Sequence, residues 1–217
     1  MKVFAHYFYD NINDVEYRWR TIIKIGDSWD IRGTIFMKNP GSSKSVEPNI
    51  KSIENSGLLE KLRTFDDGRT SLSNEWYEFS VDRTMICVIN LFKAYYEAHG
   101  EKLNGVIQIF NLFNVRDANL KKAIDKCKDD GLDKLVCTTD DDIKNIVSPV
   151  YIGWGNLWKV PAHKENAQRI FSEVIKNTSY LCNGIENNKF YHPQYLLNYG
   201  KNRKNCIDVL EKFIKLT

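Results

Sequence analysis

The sequence predicts an α/β fold, with a mostly parallel central sheet and helices on both faces. Two observations carry this expectation. From residue 105 onward, short apolar runs alternate with amphipathic helical segments, the pattern of strand–helix–strand units. The runs GVIQIFNLF (105–113) and SPVYIGWG (148–155) hold few polar residues, as strands do when helices cover both of their faces.

Taken in order, VFAHYFY (3–9) and YRWRTIIKIG (17–26) read as strands, and IRGTIFMKN (31–39) as a third that ends at NPGSS. That tract favours a turn, because Pro fixes φ and Gly permits positive φ. Residues 41–80 are polar and irregular, with a short helix at SIENSGLLEKLRTF (52–65). They read as an insertion or lid within a single domain, 1–217. Asp82 can cap a helix whose Met85, Val88, Ile89, Phe92 and Tyr96 share one face. Strand 105–113, an amphipathic helix DANLKKAIDKCKD (117–129) and strand 148–155 follow. A helix HKENAQRIFSEVIKN (163–177), a strand TSYLCNGI (178–185) and a closing helix NCIDVLEKFIKL (205–216) complete the chain.

Bulk properties narrow the function classes. A length of 217 residues suffices for one sizeable core. A net charge of +3 is a weak basic balance and does not by itself argue for long nucleic acid. Five cysteines, none in a C-x-x-C pair, point to reduced thiols and a cytoplasmic setting, and Cys87 and the others fall mainly on apolar faces. MKVFAHYFYD meets Tyr and Asp too soon for a secretory apolar run, and no window is long and apolar enough for a membrane span. His6, His99, His163 and His192 lack metal-ligand spacing, and TTDDD (138–142) suits a helix start better than a cation cage. Neither a P-loop nor G-x-G-x-x-G is present, so no metal and no cofactor is expected.

In a parallel sheet, ligands gather where strands reach their carboxyl edge. Four polar tracts stand there: NPGSS (39–43), NLFNVRDAN (111–119), GWGN (153–156) and YHPQYL (191–196). The expected pocket therefore brings together Asn39, Asn111, Asn156 and His192. Asn offers a donor and an acceptor, so it can read a base edge or orient water. Each residue also has a structural reading. Asn39 before Pro40 is a turn former, Asn111 can be a satisfied structural amide, and His192 before Pro193 is extended by necessity. Trp154 can stack a ligand or fill core. Arg116 can meet an anion bidentately or pair with Asp117.

The same tracts, with YRW (17–19) and DRT (82–84) before them, resemble a family of uncharacterised bacterial and phage proteins with Asn-Pro-Ser/Gly, Asn-Leu-Phe and His-Pro-x-Tyr-Leu tracts. The likeness covers nearly the whole chain. More remotely, the order resembles the uracil-DNA glycosylase superfamily, which implies a three-layer sandwich of that type. The resemblance places Asn39-Pro40 at the water-positioning motif, Asn111 at the base reader and His192-Pro193 at the motif that stabilises the departing base. Pro40, Gly41, Ser42, Asn111, Arg116, Trp154, Asn156 and Tyr195 would then line the ligand site. Lys201, Arg203 and Lys204, in the basic loop after it, would contact phosphate. The sequence departs from the pattern at Met37, where the motif has a glycine, at Gln194, where it has a serine, and in lacking an acidic residue in the water motif.

Two readings follow. In the first, the protein recognises a nucleobase or nucleotide and hydrolyses an N-glycosidic bond in nucleic acid, with Asn39 and His192 catalytic. In the second, it is a non-catalytic phage or bacterial binder that sequesters a nucleotide signal or inhibits a protein partner. Neither involves a membrane.

Overall fold

A computed structural model describes residues 1–41, 43–46, 50–66, 75–127, 138–181, 184–187, 189–197 and 203–217. In these, six strands form one open sheet: β1 (Lys2–Asp10), β2 (Val15–Ile25), β3 (Ile31–Met37), β4 (Trp76–Phe79), β5 (Gly105–Asn111) and β6 (Val150–Ile152). Their spatial order is β4-β1-β2-β5-β3-β6. The helices are α1 (Ser56–Arg63), α2 (Arg83–Ala98), α3 (Leu120–Lys126), α4 (Asp140–Lys144), α5 (Pro161–Asn177), α6 (Pro193–Leu197) and α7 (Arg203–Ile214).

The sheet is mixed rather than mostly parallel. β5, β3 and β6 run parallel, but β4 with β1, β1 with β2, and β2 with β5 are antiparallel. The cause is local. Only residues 11–14 separate β1 from β2, and a connection that short can join only antiparallel strands. Asp10 shapes the turn, since its Oδ1 accepts the Ile12 and Asn13 amide N–H groups at 2.9 and 3.2 Å. The strand expected over 178–185 is a second correction. None of its described residues is in a strand. Instead the Tyr180 hydroxyl accepts the Ile152 N–H at 3.2 Å, taking the place of a neighbouring strand.

Helices cover both faces, as alternation in the second half predicts. On one face, Trp19, Phe36, Phe110 and Ile152 pack with Ala167, Ile170 and Val174 of α5 and Ala123 of α3. On the other, Ile35, Ile107, Ile109 and Tyr151 pack with Val88 and Phe92 of α2 and Val209 and Phe213 of α7. Residues 41–80 contribute to the sheet and its core. β4 pairs with β1, and Leu62 of α1 packs with Phe4, Ile22 and Trp76. The outer side of β4 is bridged at Ser45–Phe79, with hydrogen bonds from Val46 N–H to the Glu78 carbonyl and from Ser80 N–H to the Lys44 carbonyl.

β2 carries a bulge. Phe4 pairs with Ile22 and His6 with Trp19, so Ala5 alone faces both Arg20 and Thr21. Arg20 has φ +46°, an unusual conformation for a residue with a side chain. Its buried guanidinium meets Asp142 at 2.8 Å and donates to the Phe65 carbonyl. No helix of the described residues is long and apolar enough to cross a membrane.

Candidate functional site

β1, β3, β5 and β6 all point the same way, so their carboxyl ends form one edge, where β2 begins. A cavity of about 270 Å³ opens there on the α2 side of the sheet. Arg18 and Thr21 of β2 line it, with Ile109 and Asn111 of β5, residues 37–41 at the end of β3, Asp82 and Thr84 at the start of α2, and His192, Gln194 and Tyr195 around α6. The volume falls just below the usual range for drug-sized ligands and suits one small polar molecule.

The floor holds polar atoms without partners. Asn111 and Thr21 are each 2 % exposed, and neither Asn111 Nδ2 nor Thr21 Oγ1 has a hydrogen-bond partner among the described residues. Buried polar groups are nearly always paired, and one left unmade costs about 1–3 kcal/mol. Both residues line the cavity, where water or a bound molecule can meet these groups. Arg18 Nε is likewise unpartnered. The Arg18 Nη atoms donate to the Ser43 carbonyl at 3.2 Å and to the Pro40 carbonyl, which pins the loop after β3. Burial pulls this guanidinium down to about 10 against an opposing pull from Asp82, so it remains a cation at neutral pH.

The β2 bulge explains why Arg18 and Thr21 meet. In a regular strand residues three apart face opposite sides of the sheet. One extra residue at position 20 restores both to the cavity side and sends Arg20 to the other face, beside Phe110.

His192 stands just before α6. Its Nδ1 accepts the Gln194 backbone N–H at 3.4 Å, so Nε2 carries the proton and is a donor. Burial, and secondarily the Lys38 charge, hold it down to about 4. The imidazole is therefore neutral at pH 7. The unfolded chain binds this proton below about pH 6.5, whereas the folded protein resists it down to about 4. Stability is thus fully present above pH 6.5 and falls as pH drops toward 4, by roughly 2–3 kcal/mol at most. Urea unfolding between pH 7 and 4 should show a shallower loss in His192→Gln than in the parent; equal slopes would remove His192 as the cause.

Lys38 lies over the turn after β6. A Cβ on Gly155 would come 3.3 Å from Lys38 Cε and 3.7 Å from Nζ, and Gly155 has φ +64°. The second glycine of GWG thus permits a left-handed turn and leaves room for the lysine. Gly155→Ala is expected to cost about 1–2 kcal/mol in chemical unfolding from the backbone term alone, and an unchanged midpoint would contradict this.

Asn39 donates through Nδ2 to the Asp117 carbonyl at 2.9 Å and the Val115 carbonyl at 3.4 Å, which leaves Oδ1 as its acceptor. Gln194 Nε2 donates to Thr84 Oγ1 at 2.9 Å, joining the start of α6 to the start of α2. A serine at 194 is too short to make that link. The two lining carboxylates serve as backbone acceptors. Asp82 caps α2 by accepting the Met85 N–H at 2.9 Å, and Asp117 accepts the Asn119 N–H at 2.8 Å.

Asn39, Pro40, Gly41, Asn111, His192 and Tyr195 of the expected site therefore share one cavity. Trp154 does not join them. It is fully buried against Phe36 and Phe190, because the turn after β6 folds its ring into the core on the α5 side. Asn156 is exposed on the helical turn Gly155–Lys159 and does not line the cavity. Arg116 is held by Glu16 and by the Ser43 carbonyl rather than facing the cavity. Ser42, Lys201 and the Arg203 side chain lie outside the described residues, and Lys204 is exposed on α7. Sequence reasoning gave no ligand role to Arg18, Thr21 or Thr84, although YRW and DRT contain two of them. Two arginines, Arg18 and Arg20, inside the largely apolar run 17–26 are the available signal.

Among the described residues no three His, Cys, Asp or Glu side chains converge as a metal site requires. No protein-family model, no curated protein and no solved structure matches the chain.

Proposed function

We propose that the cavity recognises a single nucleobase-bearing small molecule. The observation that carries this reading is the unpartnered amide of buried Asn111 on the cavity floor, beside the unpartnered Thr21 hydroxyl. A planar heterocycle with alternating donors and acceptors matches an amide and a hydroxyl in fixed positions. Aliphatic Ile109, Val88 and Met85 supply apolar walls against which a ring can lie. The resemblance to the uracil-DNA glycosylase superfamily supports the same assignment and places the base reader at Asn111.

The catalytic form of the reading assigns two further roles. Asn39 Oδ1 orients a water toward the sugar carbon, and His192 Nε2–H donates to the departing base as it takes up the bonding electron pair. The neutral imidazole stabilises that charge by hydrogen bonding and does not deliver a proton at pH 7. A DNA substrate would draw affinity from Lys201, Arg203 and Lys204, and that affinity would fall with salt.

One observation favours the second form, in which the ligand is held and returned unchanged. Asp82 and Asp117, the carboxylates lining the cavity, each use one oxygen to accept a backbone N–H group, a structural duty that needs no catalytic role. Incubation with free bases, nucleosides, nucleotides and base-containing DNA strands tests both forms, with mass spectrometry of bound ligand and released base. Released base that disappears in His192→Ala supports hydrolysis. A nucleotide recovered intact supports sequestration. Binding to no member of either panel would reject the nucleobase reading.

A further inference from the structure

The sheet order gives the cavity two unlike ends. Arg18 and Thr21 come from β2, Asn111 from β5 and Lys38 from the end of β3. From β2 to β3 is two strand spacings, roughly 10 Å. That span seats a base, a sugar and a further group in a row, where a base alone would fill only one end.

Charge differs between the ends. At the β2 end, Arg18 donates from its Nη atoms to the Pro40 and Ser43 carbonyls, keeps an unpartnered Nε among the described residues, and has Asp82 to offset its charge. At the β3 end Lys38 lines the cavity, and its ammonium lies close to Gly155. Among the described residues it has no ion-pair partner, and burial alone pushes its titration down. Next to it His192 offers an N–H from Nε2, because Nδ1 is occupied by Gln194. A partly desolvated cation beside a neutral donor is costly unless an anion comes to it.

We propose that the ligand is a nucleoside monophosphate, its phosphate held by Lys38 and His192 at the β3 end while Asn111 and Thr21 meet the base. This assignment rests on the nucleobase reading above, in the form that returns the ligand unchanged. It makes Lys38, just before Asn39, the residue that selects a charged ligand over a neutral one. Lysine suits the task as a compact charge with three donors for phosphate oxygens. The missing Cβ at Gly155 then has a purpose beyond its turn, since it leaves room for the end of the Lys38 side chain.

Calorimetric titration of the whole chain at fixed ionic strength provides the test. The titrants are the common nucleosides, their 5′- and 3′-monophosphates and inorganic phosphate. Lys38→Met and Lys38→Arg run in parallel, each checked for an unchanged melting temperature. At least one monophosphate should bind about 10- to 150-fold more tightly than its nucleoside, as charge-assisted hydrogen bonds allow. Lys38→Met should abolish that preference, and Lys38→Arg should keep most of it. Equal affinity for a nucleoside and its monophosphate would overturn the phosphate assignment and leave the base pocket standing. A preference that survives in Lys38→Met would overturn the role of Lys38. Binding of no nucleoside and no monophosphate would reject the nucleobase reading and this inference together.

Discussion

Asn111→Leu is expected to make the protein more stable and to empty its cavity. The amide is buried, 2 % exposed, and its Nδ2 has no partner. Leucine has the same branching and the same number of side-chain heavy atoms, though more bulk, and no polar atom to leave unmade. Removing the unpaired group should raise the free energy of unfolding by about 1–2 kcal/mol. The same change removes the group assigned to read the base, and affinity should fall at least about 10-fold. Gains in stability with loss of binding are the usual signature of a residue kept for function. Urea unfolding and ligand titration on one preparation measure both effects. A destabilised variant that binds normally would mark Asn111 as structural. Thr21→Val should behave in the same direction with a smaller gain.

Asp142→Ala is expected to destabilise the protein by about 3–5 kcal/mol, the cost of leaving a buried partner charge without compensation. Arg20 and Asp142 are 4 % and 5 % exposed at their side chains and 2.8 Å apart. Asp142 also accepts the Thr139 N–H at 2.8 Å and closes the cap of α4. Arg20 sits at φ +46° within the β2 bulge, so its anchor also holds the backbone that aims Arg18 and Thr21 at the cavity. Ligand affinity should therefore fall in Asp142→Ala although the residue lies on the opposite face of the sheet. Replacing the pair together, as Arg20→Met with Asp142→Leu, should recover much of the stability, because no lone charge is left. Denaturant midpoints of the three variants decide the matter. A loss below about 1 kcal/mol in Asp142→Ala would show that the pair is solvated and does not hold the bulge.

Much of this was legible in residues. The period of Met85, Val88, Ile89, Phe92 and Tyr96 marks the buried face of α2, and Asp82 caps it where capping chemistry puts an acid. The parallel trio β5, β3 and β6 follows from alternating runs and helices. Strand direction at the other end was misjudged because apolar content says nothing of connection length, and the short turn at Asp10 decides it. TSYLCNGI has the composition of a strand, yet Tyr180 turns its hydroxyl to β6 and packs its ring on Phe171. β4 escaped notice because WYEF follows a long polar stretch. In the site, Asn39 and Asn111 are legible as polar residues at strand ends, whereas His192 reaches the cavity from the start of α6 and not from the strand end the sequence suggests. Arg18 with Thr21 is not legible, since a bulge changes which residues share a face and leaves no mark in a period-two count. Trp154 and Asn156 flank a turn, and only the packed chain tells which way each side chain goes.

The rims of the sheet have a consequence for how the protein behaves among its own copies. β6 is three residues long, and Tyr180 occupies its Ile152 amide. β4 is four residues long, and the chain at 44–46 bridges its outer side. Unclaimed edge amides are where one sheet recruits another and where fibrils begin. With both borders short and partly claimed by the chain's own groups, the sheet offers little template for growth. A concentrated solution should resist edge-to-edge aggregation, while the cavity at the carboxyl end of the sheet stays open.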